Sequence, residues 1–267
     1  MSEELTYCYK HPDRETGVSC QRCDRYICPQ CSTPGAVGYL CPEDAGVPST
    51  VVKANFQKTI WQLMPVTLVL IAANIIVFAL EMLDPNVAIA LEYTPTSYMD
   101  YGSLVRAFTS GFAHSTTNIL HIAFNMWSLY ILGRMLEPVL GKLKFIILYV
   151  LSLFAGTLGV LFLGDHAVLG ASGAIFGLMA SLIVVLRVLK SDARQVIILV
   201  AVNFALSFSP GIAWQAHLGG FIAGGLITLV YAKFRKPTEQ ATLYILIGVI
   251  AVALGGLWIY GNSILPF

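Results

Sequence analysis

The run Gly170-Ala171-Ser172-Gly173-Ala174-Ile175-Phe176-Gly177 sets one hydroxyl among residues too small to shield it, inside a mostly apolar stretch. Further along, Ala216-His217-Leu218-Gly219-Gly220 sets a histidine inside another hydrophobic segment. A nucleophile and a base at membrane depth point to water-using chemistry in a bilayer: the imidazole takes the serine proton and later returns it to a leaving amine. His121 and Asn125, four residues apart, share one helical face and can both donate hydrogen bonds. Together with the Ser172 amide they could hold an oxyanion. Each residue has a plainer reading on its own, as helix-packing material or interhelical glue. Four of them near the same ends of three helices mark function, because polar groups inside a bilayer are costly to keep.

The elements that must position them are helices across a membrane. The chain has 267 residues, 57% hydrophobic and 12% charged, with a net charge of +1. That composition lies outside the range of soluble domains and excludes the basic patches of nucleic-acid binding. The expected fold class is an all-α polytopic membrane protein. Seven apolar stretches, near the ~20 residues a hydrocarbon core requires, run approximately over 62–82, 117–136, 143–163, 171–189, 194–209, 214–232 and 241–260. They are called the first to seventh helices below. Pro210-Gly211 marks a tight turn after the short fifth helix.

Basic residues set the expected orientation. Lys53 and Lys58, then Arg134, Lys142 and Lys144, then Arg187, Lys190 and Arg194, then Lys233, Arg235 and Lys236 all fall on one side. Asp84, Glu92, Asp100 and Asp165 fall on the other, with Arg106 as the basic exception. The positive-inside rule puts the N-terminus in the cytoplasm and the C-terminus outside, and no cleavable signal is visible. A compact chain without an organelle-targeting peptide suggests a bacterial plasma membrane. Ser172 and His217 then sit in the first turns of the fourth and sixth helices, at the outer side and similar depth. Ala216, Gly220 and Gly224 make a small-residue stripe on the sixth helix, answered by Gly173, Ala174 and Gly177 on the fourth.

All six cysteines precede the membrane region. Cys8-x2-His11, Cys20-x2-Cys23, Cys28-x2-Cys31 and Cys41-x2-Asp44 are four pairs whose gap lets both members grip one tetrahedral ion. Two structural zinc ions are expected, and interleaved pairing would give one Cys3His and one Cys3Asp site. So small a segment cannot bury enough apolar surface to fold unaided, so metal must supply much of its folding free energy. The pattern resembles a B-box-type zinc finger, with Asp44 where a histidine would normally stand, and suits a partner-binding or regulatory head.

The membrane region resembles the rhomboid intramembrane serine proteases over about residues 60–235. The matches are Gly170-x-Ser172-Gly173, Ala216-His217-x2-Gly220-x3-Gly224, His121-x3-Asn125 and Gly133-x3-Leu136-Glu137-x3-Gly141. The resemblance implies a Ser172-His217 dyad, an oxyanion site from His121, Asn125 and the Ser172 amide beside Gly170, and no cofactor for catalysis. It implies a six-helix core, here with a seventh helix added, and single-span membrane proteins as substrates. Three positions depart from the family: Val105-Arg106 replaces Trp-Arg, six residues rather than four separate His114 from His121, and Phe176 stands where tyrosine often supports the histidine. The expected organisation is a zinc module over 1–45, a linker over 46–59, the protease core over 60–236 and the seventh helix and tail over 237–267. Two other classes compete. A non-catalytic rhomboid-like scaffold would have lost dyad or oxyanion residues, and a proton-coupled transporter would carry intramembrane carboxylates.

Overall fold

The computed structural model describes residues 6–34, 38–46, 64–95, 101–164 and 166–264. The chain divides into two compact units, Met1–Thr59 and Ile60–Phe267. Apart from Gly46, the expected linker over 46–59 lies outside the described residues, as do Asp100 and Asp165.

The first unit is built from turns. Cys8 N–H donates to the Arg14 carbonyl, Cys20 N–H to the Arg25 carbonyl and Cys31 N–H to the Cys28 carbonyl. A two-residue antiparallel pair, Thr33–Pro34 with Tyr39–Leu40, and the short helix Pro42–Gly46 complete it. Five of the six cysteines are buried, and Cys23 is exposed.

The second unit is a polytopic membrane bundle. Its apolar helices are Pro65–Leu83, Ile119–Leu140, Lys142–Leu163, Ser172–Val188, Arg194–Ser207, Trp214–Lys233 and Gln240–Ile264. Among the described residues, five segments are long and apolar enough to cross a membrane; the fourth helix, Ser172–Val188, and the fifth, Arg194–Ser207, are shorter. Their expected spans are corrected to 17 and 14 residues. The second helix also runs further than expected, through Pro138 to Leu140, so Arg134 lies within it rather than after it. Gly141 at φ 80° ends it with a conformation that side chains disfavour. Outward faces are apolar and exposed, as at Ile76, Trp127, Ile245 and Val252, which suits contact with lipid.

Two carboxylates are buried in this bundle. Glu137 on the second helix accepts the N–H groups of Val66 and Thr67 at 2.9 and 2.8 Å and the Thr67 hydroxyl at 2.6 Å. It thereby satisfies two of the orphan donors at the start of the first helix, and Gly133 packs against Thr67. Glu81, in the last turn of the first helix, is fully buried and accepts the backbone N–H of His114. Both carboxylates therefore tie backbone in place.

The long segment between the first and second helices contains two short helices that the sequence reading lacked, Asn86–Leu91 and Tyr101–Thr109. It is docked on the bundle rather than loose. Tyr93 and Val168 exchange backbone hydrogen bonds at 3.0 and 2.7 Å, and Phe108 stacks on Phe154 with centroids 4.8 Å apart. Trp258 of the seventh helix is buried in the same cluster as Tyr93, Phe154 and Leu158, so that helix supports the docked segment.

Candidate functional site

The sixth helix sits against the third and fourth at backbone contact. A Cβ at Gly220 would collide with the carbonyl oxygen of Gly173, and one at Gly224 with that of Gly177. The third helix contributes a second small-residue face: Gly156 lies against the Ala216 carbonyl, and Ala155 presents its carbonyl to Gly219. Sequence reasoning matched the fourth helix to the sixth but missed the third, whose Ala155-Gly156 and Gly159 are scattered among larger residues.

This approach brings His217 Nε2 to 2.8 Å from Ser172 Oγ. Ser172 is the first residue of its helix, where a backbone N–H has no intrahelical partner. Phe176, one turn on, stacks on the His217 ring with centroids 4.1 Å apart and planes 9° from parallel. The expected aromatic support is thus present without a hydroxyl. Phe204 of the fifth helix meets Phe176 edge-on at 4.7 Å and closes the far side.

Asn118 caps the second helix, its side chain accepting the Leu120 N–H. One turn in, Asn125 spends one amide hydrogen on the His121 carbonyl at 2.8 Å and keeps a second. His121 Nδ1 lies 3.4 Å from the Ser115 N–H, so Nδ1 accepts and Nε2 carries the ring proton. His121 Nε2 and Asn125 Nδ2 face Gly170: a Cβ there would stand 2.7 Å from His121 Nε2 and 3.9 Å from Asn125 Nδ2. Gly170 has φ +118°, and its N–H donates to the Ser110 carbonyl at 2.8 Å. A side chain at this position would be strained and would collide with the His121 ring.

His121, Asn125, Ser172, Phe176, Ser207 and His217 line one cavity of about 990 Å³. His114, outside the expected set, is fully buried behind His121, the ring centroids 5.1 Å apart, and does not line it. Ser207 was missed. It ends the fifth helix, is buried, and holds Oγ 2.6 Å from His217 Nδ1. It lies three residues after Phe204, on the same helical face.

In the first unit the four pairs assemble into two clusters, Cys8, His11, Cys28 and Cys31, and Cys20, Cys23, Cys41 and Asp44, each with its ligand atoms within 4.8 Å of one another. Two sulfurs about 2.3 Å from one tetrahedral ion stand about 3.8 Å apart. Cys23 and Cys41 have their sulfurs 3.8 Å apart, and His11 Nδ1 lies 3.4 to 3.8 Å from the sulfurs of Cys28, Cys31 and Cys8. These spacings could hold a metal ion and are too long for disulfides. Around the second cluster, Arg25 donates to Cys23 Sγ at 3.2 Å, pairs with Glu43 at 2.7 Å and covers the Tyr9 ring. Hydrogen bonds from Lys10 and Tyr9, with the Arg25 charge, hold the Glu43 carboxyl down at about 2.

A Rhomboid domain is recognised over residues 101–234, half of the chain, and the protein belongs to the rhomboid family. It is an integral multi-pass membrane protein. The chain is similar to RHOMBOID-like protein 4 of Arabidopsis thaliana, 37% identical over 42% of this chain and 30% of that protein. It is similar also to the rhomboid protease GluP of Bacillus subtilis, 27% identical over 54% of this chain and 29% of GluP. To YdcA of the same bacterium it is 29% identical over 68% of this chain and 96% of YdcA. The matched stretch spans less than half the length of the plant relatives and of GluP.

Proposed function

We propose that this chain is an intramembrane serine endopeptidase with a Ser172-His217 dyad. The observation that carries the reading is the 2.8 Å contact between His217 Nε2 and Ser172 Oγ inside a cavity of a membrane bundle. His217 takes the hydroxyl proton as Ser172 attacks a peptide carbonyl, then gives it to the leaving amine; water later resolves the acyl-enzyme with His217 again as base. The oxyanion is held by the Ser172 N–H, the His121 Nε2–H and the free Asn125 amide hydrogen, with Gly170 leaving room for it. The substrates are single-span membrane proteins, and a segment must unwind before its peptide bond can reach Ser172, because a helix shelters its own carbonyls. A scaffold that only binds client helices has no need of an imidazole aimed at a serine hydroxyl.

Asn125→Ala is expected to lower kcat on a transmembrane reporter by about 10² to 10³-fold with little change in KM, since an oxyanion donor acts mainly in the transition state. Wild-type turnover in that variant, measured in proteoliposomes, would remove Asn125 from the site.

The N-terminal unit is proposed to be a B-box-type module with two structural zinc ions, one on Cys8, His11, Cys28 and Cys31 and the other on Cys20, Cys23, Cys41 and Asp44, serving a protein partner. Filled four-ligand sites leave no position for a reacting water, so the metal shapes the module only. Metal analysis of the purified chain is expected to give about two zinc per chain, and chelation to expose the thiols. A metal-free chain with protected thiols would contradict this. We propose further that the N-terminus lies in the cytoplasm and the C-terminus outside, as the basic residues between the helices favour, in a bacterial plasma membrane.

A further inference from the structure

Ser207 is a buried hydroxyl beside the dyad that the proposed reaction leaves unused. It closes the fifth helix, which elsewhere buries only Val200, and shares an inward face with Val200 and Phe204. Its Oγ lies 2.6 Å from His217 Nδ1 and 2.7 Å from the Asn203 carbonyl oxygen.

The hydroxyl has one hydrogen and two possible uses for it. Donated to the carbonyl, which can only accept, it leaves an oxygen lone pair for Nδ1, and Nδ1 must then carry the ring proton. His217 Nε2 is consequently bare and accepts the Ser172 hydroxyl at 2.8 Å. This arrangement closes three hydrogen bonds in a row. The reverse, with Ser207 donating to Nδ1, closes two and puts a proton on Nε2, where it blocks the base. We infer that Ser207 is a positioning residue that fixes the His217 tautomer, making a Ser172-His217-Ser207 chain in which a neutral hydroxyl does the orienting work that a carboxylate does in a serine protease triad. The inference rests on the hydrolase reading above and adds a member to it. As His217 becomes imidazolium, its Nδ1–H bond to Ser207 strengthens, so the contact favours the transition state over the ground state.

The test is made on the full chain, labelled with 15N-histidine and held in lipid nanodiscs, with the His217 signals assigned by their loss in His217→Asn. At rest the His217 proton is expected on Nδ1. In Ser207→Ala a share should move to Nε2, the nitrogen that free imidazole prefers to protonate. Turnover of a transmembrane reporter should fall about 10- to 100-fold in kcat with KM changed less than about twofold, and Ser207→Thr should restore most of it. A merely structural serine would lower thermal stability without moving the tautomer. A proton found on Nε2 in the resting wild-type chain overturns the inference with no substitution required. Full turnover in Ser207→Ala beside a dead Ser172→Ala also overturns it while leaving the hydrolase reading in place. Cleavage by Ser172→Ala would remove that reading instead.

Discussion

Ser172→Ala and His217→Ala are each expected to lower cleavage of a transmembrane reporter by at least about 10⁴-fold, and the double substitution to lower it little further. Residues that act as one unit are lost together, because a serine without its base and a base without its serine both leave only the residual catalysis of binding and the oxyanion site. On the proposed reading, the 2.8 Å contact makes Ser172 and His217 such a unit. Ser172→Ala should keep the wild-type thermal midpoint within a few degrees, since Ser172 is only partly buried, whereas His217→Ala removes a buried ring stacked on Phe176 and should lower it. Additive losses from the two single substitutions would mean that the residues act separately.

Gly220→Val should lower turnover by at least about 10²-fold while touching no reacting atom. Its side chain would occupy the place of the Gly173 carbonyl, which belongs to backbone and cannot rotate away. The sixth and fourth helices must separate, carrying His217 away from Ser172, and a displacement of about 1 Å costs on the order of 10²-fold in rate. Stability should fall as well, by about 1–3 kcal/mol or more. Gly248→Val on the seventh helix is the control, because nothing lies within 4 Å of a Cβ there. Turnover and thermal midpoint measured on both variants in the same detergent separate a specific loss from a general effect of valine. Equal behaviour of the two would show that the close approach at Gly220 does not hold the site.

What the sequence made legible, it made legible through spacing. Two-residue gaps in four pairs are local geometry, whereas their interleaved assembly joins pairs well separated along the chain, Cys8 and His11 with Cys28 and Cys31, Cys20 and Cys23 with Cys41 and Asp44. Ser172 and His217 could be set at one depth because charge in the loops orders the helices, and the small stripe on the sixth helix announced a close neighbour. The rest depended on tertiary contacts that leave little local trace. The helices of the first long loop are short and give weak periodicity, and they are fixed by Tyr93, Phe108 and Trp258 from three different segments. The fifth helix, at 14 residues, is too short for an ordinary span, and its only buried residues are Val200 and Ser207. A serine bonding back to the carbonyl four residues earlier is commonplace in membrane helices, so Ser207 had no distinguishing pattern until His217 was found beside it. Glu81 and Glu137 likewise carry no local sign of their partners, since each accepts backbone N–H from more than thirty residues away.

The most direct measurement of the central claim is the site of covalent labelling by a fluorophosphonate, mapped by peptide mass spectrometry on the folded chain in detergent. A single adduct on Ser172 is expected, absent from His217→Ala and strongly slowed in Ser207→Ala. An adduct on a different serine, or one that forms on Ser172 at the same rate without His217, would contradict the account.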